Sequence, residues 1–246
     1  MENKQLLDIA KKAALIASNF LKKSHDSKEV IHDIVRDVKI KGDKESEKLI
    51  IDFLTKQTFF SVISEESGFI PNKNENYTWI IDPIDGTLNY SRNIPFSAIS
   101  IALWNNKNPI LGVIKDLNSN DIYSGIVGDG AWLNNKRIKV SFKKNISDSI
   151  IATGFPVSSD FSENNLNTLL DFLQKYKKVR LFGAASLSLA YYSCGKVDSY
   201  YEKNIKLWDA AAGIAIAKSA GGDIEFTDYN KDFVLSVNAK TNLDEV

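Results

Sequence analysis

The sequence predicts an α+β protein built in layers, and three observations carry that prediction. Apolar residues recur at helical spacing near the N-terminus, at Leu6, Leu7, Ala10, Ala13, Ala14, Ala17 and Leu21. The stretch from about residue 59 to 141 breaks into short apolar runs separated by turn signals, the pattern of a mostly antiparallel sheet. Beyond residue 145, strand-like runs alternate with helical ones, which suggests a layered α/β unit. The expected division is therefore residues 1–145, with helices against a mostly antiparallel sheet, and residues 146–246, a C-terminal α/β subdomain.

Taken in order, "MENKQLLDIAKKAALIASNFLKKS" reads as an amphipathic packing helix. Lys11 and Lys12 interrupt it, and Ala13 to Ala17 is too short an apolar run for a signal peptide. "SHDSKEVIHDIVRD" is polar and is expected to be partly extended. A second helix is expected from Asp43 to Thr55, with Leu49, Ile50, Phe53 and Leu54 on one face. "FFSVIS" and "YTWIID" are strands. "FSAISIALW" and "PILGVIKD" form a hairpin across "NNKN", and "DIYSGIVGDGAWLNNKRIKVS" adds further short strands. In the second half "SIIATGFP", "VRLFG" and "KVDSYYE" read as strands. "ENNLNTLLDFLQKY", "AASLSLAYYSCG" and "WDAAAGIAIAKSAGG" read as helices, the last capped by Asp209 and closed by Gly221 and Gly222.

Composition removes several chemistries. The 31 basic and 31 acidic residues balance, so no overall field favours nucleic acid or an anionic membrane, and neither is expected as a partner. No stretch reaches the length of a membrane span. A single cysteine, Cys194, rules out an internal disulfide and a thiolate zinc cluster, and fits a reducing compartment; the expected location is the cytoplasm. With only His25 and His32 besides, Ser-His-Asp and Cys-His catalysis have little to work with. Catalysis has to run on oxygen ligands.

Acids fall at the ends of the predicted elements: Asp43 near the start of the second helix, Glu65 and Glu66 after "SVIS", Asp82 and Asp85 after "TWII", and Asp209 at the last helix. Carboxylates converging without histidine or cysteine favour a hard cation such as Mg²⁺. Gly86 and Thr87 then open a helical turn whose free N–H groups suit a phosphate. Each acid also has a plainer reading alone: Glu65-Glu66 as an exposed turn, Asp82-Pro83-Ile84-Asp85-Gly86 as a bend, Asp209 and Asp43 as helix caps.

The motifs "SEESG", "WIIDPIDGTLNY" and "LWDAAAGIAIAKSAGG", in this order, resemble the inositol monophosphatase family of Mg²⁺-dependent, lithium-sensitive phosphatases. That superfamily also contains 3′(2′),5′-bisphosphate nucleotidases and fructose-1,6-bisphosphatases. The resemblance spans about residues 40 to 225. It implies an α-β-α-β-α sandwich of the sugar phosphatase type, two or three Mg²⁺ ions, a small phosphorylated substrate and a homodimer. By the same resemblance Glu65 would bind the first metal, Asp82 would bridge two, and the Ile84 carbonyl would complete the first site. Asp85 and Asp209 would bind the second metal. Gly86 and Thr87 would contact phosphate, and Thr87 with Asp43 would polarise the attacking water, with Glu65 close by. Glu202 would meet substrate hydroxyls, and Gly183, Ala184 and Ala185 would line the pocket beside Asp85 and Asp209. Glu66 would stand behind the ligands.

Two positions depart from the family. "DVKIKGD" has Lys39-Ile40 where many members have Val-Thr, and Ala184 sits where Ser or Thr is common. The implied activity is a Mg²⁺-dependent phosphomonoesterase acting on a small phosphorylated polyol or sugar. A 3′(2′),5′-bisphosphate nucleotidase and a non-catalytic cation-binding protein stand as the alternatives.

Overall fold

The computed structural model describes residues 1–24, 26–34, 37–143 and 145–240; the side chains of Ile34, Asp37 and Glu75 are outside the description. The N-terminal helix α1 (Asn3–Lys23) buries Leu6, Leu7, Ala10, Ala13, Ala14, Ala17 and Leu21, the stripe its spacing predicts. The polar stretch that follows forms a hairpin, β1 (Val30–Ile34) with β2 (Asp37–Ile40). His25, Val35 and Arg36 of that stretch lie outside the described residues. Helix α2 (Lys41–Gln57) starts two residues before the expected Asp43, and its buried face differs from the expected one. Gly42, Asp43, Ser46, Glu47, Ile50 and Leu54 are buried, whereas Leu49 and Phe53 are only half-buried. The inward stripe carries two acids, a signal an apolar count cannot register.

An eight-stranded sheet follows from β3 (Phe60–Ser64), β4 (Gly68–Ile70), β5 (Asn74–Asp85), then α3 (Thr87–Ser91), then β6 (Ala98–Asn105), β7 (Asn108–Asp116), β8 (Ile122–Ile126), β9 (Gly130–Leu133) and β10 (Lys136–Ile138). Its order is β10-β9-β8-β7-β6-β5-β3-β4, antiparallel except where β3 runs parallel to β5. A five-stranded sheet combines β11 (Ile150–Thr153), β12 (Lys178–Leu181), β13 (Ser199–Lys206), β14 (Asp223–Phe226) and β15 (Val234–Lys240) in the order β12-β11-β13-β15-β14. Strands β4, β14 and β15 are additions to the expected set. Helices α4 (Glu163–Leu173), α5 (Ala185–Ser193) and α6 (Leu207–Ser219) complete the chain.

Side-chain alternation sets the layers, because successive residues of a strand face opposite sides. Trp79 and Ile81 of β5, with Ile99, Ile101 and Leu103 of β6, pack on α1 and α2. Ile80, Ala98, Ala102 and Trp104 face the other way, onto α5 and α6. The far side of those helices packs on Tyr200, Ile205, Leu235 and Val237 of the smaller sheet. Leu173 and Tyr176, at and just beyond the end of α4, cover the outer face at Ile151. The result is an α-β-α-β-α sandwich. Helix α6 is apolar on almost every side, as a helix between two sheets must be. It lies so close to β7 that a Cβ on Gly112 would sit 2.3 Å from the Ala212 carbonyl oxygen.

Candidate active site

The parallel pairing of β3 with β5 brings their C-terminal ends to one edge of the large sheet, with Ser64 beside Ile81. Glu65 follows directly, and its N–H donates to the Ile81 carbonyl at 3.3 Å. Strand β5 continues through the motif, but its pairing with β6 shifts register between Asp82 and Asp85, the one place where Pro83 removes a donor. There Asp82 accepts the Ile84 N–H at 2.9 Å, closing a local turn that leaves both aspartates at the sheet end. The first turn of α2 supplies Asp43 from one face, and the first turn of α6 supplies Asp209 from the other. Asp209 lies inside that helix, which is capped at Lys206, so the expected capping role is corrected. Asp43 likewise sits at the third helical position, where Oδ2 accepts the Ile40 N–H at 2.9 Å.

The charges identify the cluster. Asp82 is held well above the usual carboxylate range, first by burial and then by the negative charges of Glu65, Asp85, Asp209 and Asp43. Burial also raises Asp209 well above its ordinary value, with Asp85, Glu65 and Glu202 adding to it and a hydrogen bond with Asp82 opposing it. Asp85 is raised to about 6 by burial, against hydrogen bonds from Ser186 and the backbone of Ala185 and Gly86. Its Oδ2 takes the Ser186 N–H at 2.7 Å and the hydroxyl at 2.5 Å. Five carboxylates therefore share one basin, Asp43, Asp82 and Asp85 buried and Glu65 and Asp209 half-buried. Among the described residues, no three of them close into a ready-made cage. The donor chemistry fits a hard divalent cation: all oxygen, like charges, and desolvation that a cation relieves.

Gly86 adopts φ 80°, which favours glycine, and a Cβ there would meet the Phe96 carbonyl oxygen at 2.9 Å and Ala184 at 3.0 Å. Thr87 starts α3 and donates its hydroxyl to the Ile84 carbonyl at 2.8 Å. Two expected partners of metal and water thus touch each other. Asn89 donates to the carbonyls of Phe96 and Phe182, both at 2.9 Å, tying this turn to the loop before α5.

A cavity of about 160 Å³ opens beside the cluster, lined among others by Asp85, Gly183, Ala184, Ala185, Glu202 and Asp209. The five substrate-side positions expected on the β12–α5 loop, the start of α5, β13 and α6 meet there with Asp85, whereas Gly86 and Thr87 are not part of the lining. Thr153, Gly154, Phe155 and Ser188 complete the lining and were not foreseen. Glu202 is raised to about 7 by burial and by Asp85, while the Tyr200 hydroxyl donates to it at 2.6 Å. Ser186, Asn89, Tyr200 and Glu47 also escaped the sequence reading. Ser186, Asn89 and Glu47 carried no local sequence signal, because each acts through partners far along the chain.

The comparisons agree with the fold. A profile of the inositol monophosphatase family matches residues 2–242. A Haemophilus influenzae protein named Nus factor SuhB is 33% identical over 243 residues, 95% of this chain and 89% of that one. The crystal structure of extragenic suppressor protein suhB from Bartonella henselae superposes with a TM-score of 0.87 at 30% identity, over 96% of this chain and 93% of that one. The inositol monophosphatase of Anabaena (Nostoc) gives 0.84 at 32% identity, over 97% and 91%. The relatives' name corrects one expectation. Proteins called Nus factors stand with nucleic-acid machinery, so the exclusion of nucleic acid from net charge does not hold. A summed charge of zero says nothing about local patches or about association through other proteins. Among the described residues no helix is long and apolar enough to cross a membrane.

Proposed function

We propose that this chain, which belongs to the inositol monophosphatase family, hydrolyses the phosphate monoester of a small polyol or sugar with the help of Mg²⁺. The observation that carries the reading is the convergence of Glu65, Asp82, Asp85, Asp209 and Asp43 in one basin, opening beside a cavity that Glu202 walls. Glu65, Asp82, Asp85, Asp209 and the Ile84 carbonyl would hold two or three ions. Bound there, Mg²⁺ offsets charge on the phosphoryl oxygens and lowers the pKa of water. Gly86 lets the backbone come close to the phosphate. Asp43 and Thr87 would orient the attacking water, Asp43 accepting its proton, and the leaving alkoxide would take a proton from a second water as the phosphorus–oxygen bond breaks. Gly183, Ala184 and Ala185 shape the pocket around the leaving group, and Glu202, steadied by Tyr200, meets its hydroxyls. A homodimer in the cytoplasm belongs to the same reading; sedimentation tests the dimer and cell fractionation the location.

Phosphate release from inositol 1-phosphate, fructose 1,6-bisphosphate and adenosine 3′,5′-bisphosphate, with Mg²⁺ and with chelator, tests it. A polyol or sugar phosphate should dominate in kcat/KM. Preference for the nucleotide would move the protein to the bisphosphate nucleotidases, and no Mg²⁺-dependent release from any of them would overturn hydrolysis. A second reading rests on the relatives called Nus factors, which align over 95% of this chain: a role in the machinery those relatives serve. It predicts a function in cells that survives loss of the phosphatase.

A further inference from the structure

One buried acid close to the basin belongs to neither the ligands nor the pocket. Glu47, on the inward stripe of α2, is 4% exposed. Its Oε1 accepts the N–H groups of Glu66 at 3.0 Å and Ser67 at 3.2 Å, and its Oε2 accepts the Ser67 hydroxyl at 2.6 Å. Lys39 of β2 reaches the same turn and pairs with Glu66 Oε1 at 2.6 Å. Desolvating a carboxylate is expensive, and three donors offset that cost without making it an obvious gain. The turn itself does not need it. The β3–β4 register closes at Ser64 and Gly68, and Gly68 at φ 66° supplies the left-handed residue such a hairpin uses.

What the arrangement does fix is Glu65. On its N-terminal side Glu65 is bonded to β5 through Ile81, and on its C-terminal side the next two residues are gripped by Glu47. Glu47 and Asp43 are four residues apart on one helix and so share a face. A single rigid element therefore sets the position of Asp43 directly and of Glu65 through the turn. Lys39, in the Lys39-Ile40 pair that departs from the Val-Thr of the resembled family, tightens the same turn from the hairpin side.

We propose that Glu47 is a positioning residue that holds Glu65 at the first metal position, with Lys39 supporting it through Glu66. The proposal rests on the reading of Glu65 as a metal ligand. Calorimetric titration of the metal-free protein with Mg²⁺ tests it, alongside thermal unfolding without metal and the KM for substrate. Glu47→Ala should weaken Mg²⁺ binding by about 10-fold or more, the range seen for residues that orient ligands. The KM should stay near that of the wild type, and Glu47→Gln, which keeps an acceptor for both N–H groups, should recover most of the affinity. Lys39→Ala should give a smaller loss in the same direction. If Glu47→Ala does not fold, Ser67→Ala removes one donor from the exposed side and should weaken Mg²⁺ binding by a few-fold. A folded Glu47→Ala that binds Mg²⁺ as the wild type does would overturn the clamp, as would unchanged binding by Ser67→Ala. A wild-type protein that binds no Mg²⁺ overturns the metal reading, and the clamp with it.

Discussion

The two sheets of this molecule carry their parts of the site in different ways. Glu65, Asp82 and Asp85 leave β3 and β5, interior strands of the large sheet whose two faces are covered by helix pairs. Each is bracketed by backbone: Asp82 by the Ile84 N–H, Asp85 by Ser186, Glu65 by Ile81. The smaller sheet supplies a wall. Strand β12 is at its edge, α4 is mostly exposed, and Phe155 at the pocket is 44% exposed. Charges that must converge on one point are kept where the scaffold cannot move. Surfaces that must fit a particular molecule sit on loops and strand ends, where change is tolerated. Helix α6 links the two by placing Asp209 in the basin from between the sheets.

The sharpest way to break that comparison is at Asp85. Asp85→Asn should lower Mg²⁺-dependent turnover by at least roughly 100-fold, the upper end of what losing even a ligand's supporting partner costs. The metal-free variant should melt no lower than the wild type, because the carboxylate it replaces is raised to about 6 and is unfavourably charged at neutral pH. Near-normal hydrolysis by that variant would remove Asp85 from the chemistry. Gly86→Ala comes next. The side chain would need φ 80° and would press on the Phe96 carbonyl and Ala184, so the urea midpoint should fall by the equivalent of more than about 1 kcal/mol. Activity should fall with it. A variant as stable as the wild type would show that the turn relaxes more freely than a covered sheet end should.

Ser186→Ala tests the seam between the two regions, since α5 lies with the substrate wall while its serine grips Asp85. The backbone donor at 2.7 Å remains, so Mg²⁺ affinity should drop by about 10-fold rather than vanish. Calorimetry checks this directly. No change would mean that the wall does not help to set the ligand.

The same contrast governs what the sequence could disclose. The acid-rich turn stood out because Asp82, Pro83, Asp85 and Gly86 fall within a few residues, with Asp82 bonded inside the turn to the Ile84 N–H. That β5 and β6 are strands was legible for a related reason, since an apolar run bounded by turn residues is a local signal. Glu47 was not legible, because its importance lies in accepting hydrogen bonds from residues 19 and 20 positions away. Ser186 reaches Asp85 across 101 residues, and no local pattern encodes such a pairing. The start of α6 was misplaced because Asp before a helical run ordinarily caps it; here Leu207 and Trp208 already belong to the helix, so the acid points into the basin. The partner expectation failed for the broadest reason, that total charge carries no spatial information.

The last test asks whether the substrate wall is as dry as the ligand end. Glu202 is raised from 4.5 to about 7, chiefly by burial and further by Asp85, while the Tyr200 hydroxyl favours its charged form. A carboxyl whose folded pKa lies above its unfolded one stabilises the fold while protonated. That contribution is fully present below the unfolded value and is lost as pH rises through the folded value. Glu202→Gln mimics the protonated form at every pH and leaves Tyr200 an oxygen to bond. The metal-free wild type should therefore lose thermal stability relative to Glu202→Gln as pH climbs from 4.5 to about 7, with a constant difference above that. A flat difference across the range would mean that water reaches the carboxylate freely. The wall would then owe its selectivity to shape alone, and the contrast between a dry ligand end and a recognition face would sharpen further.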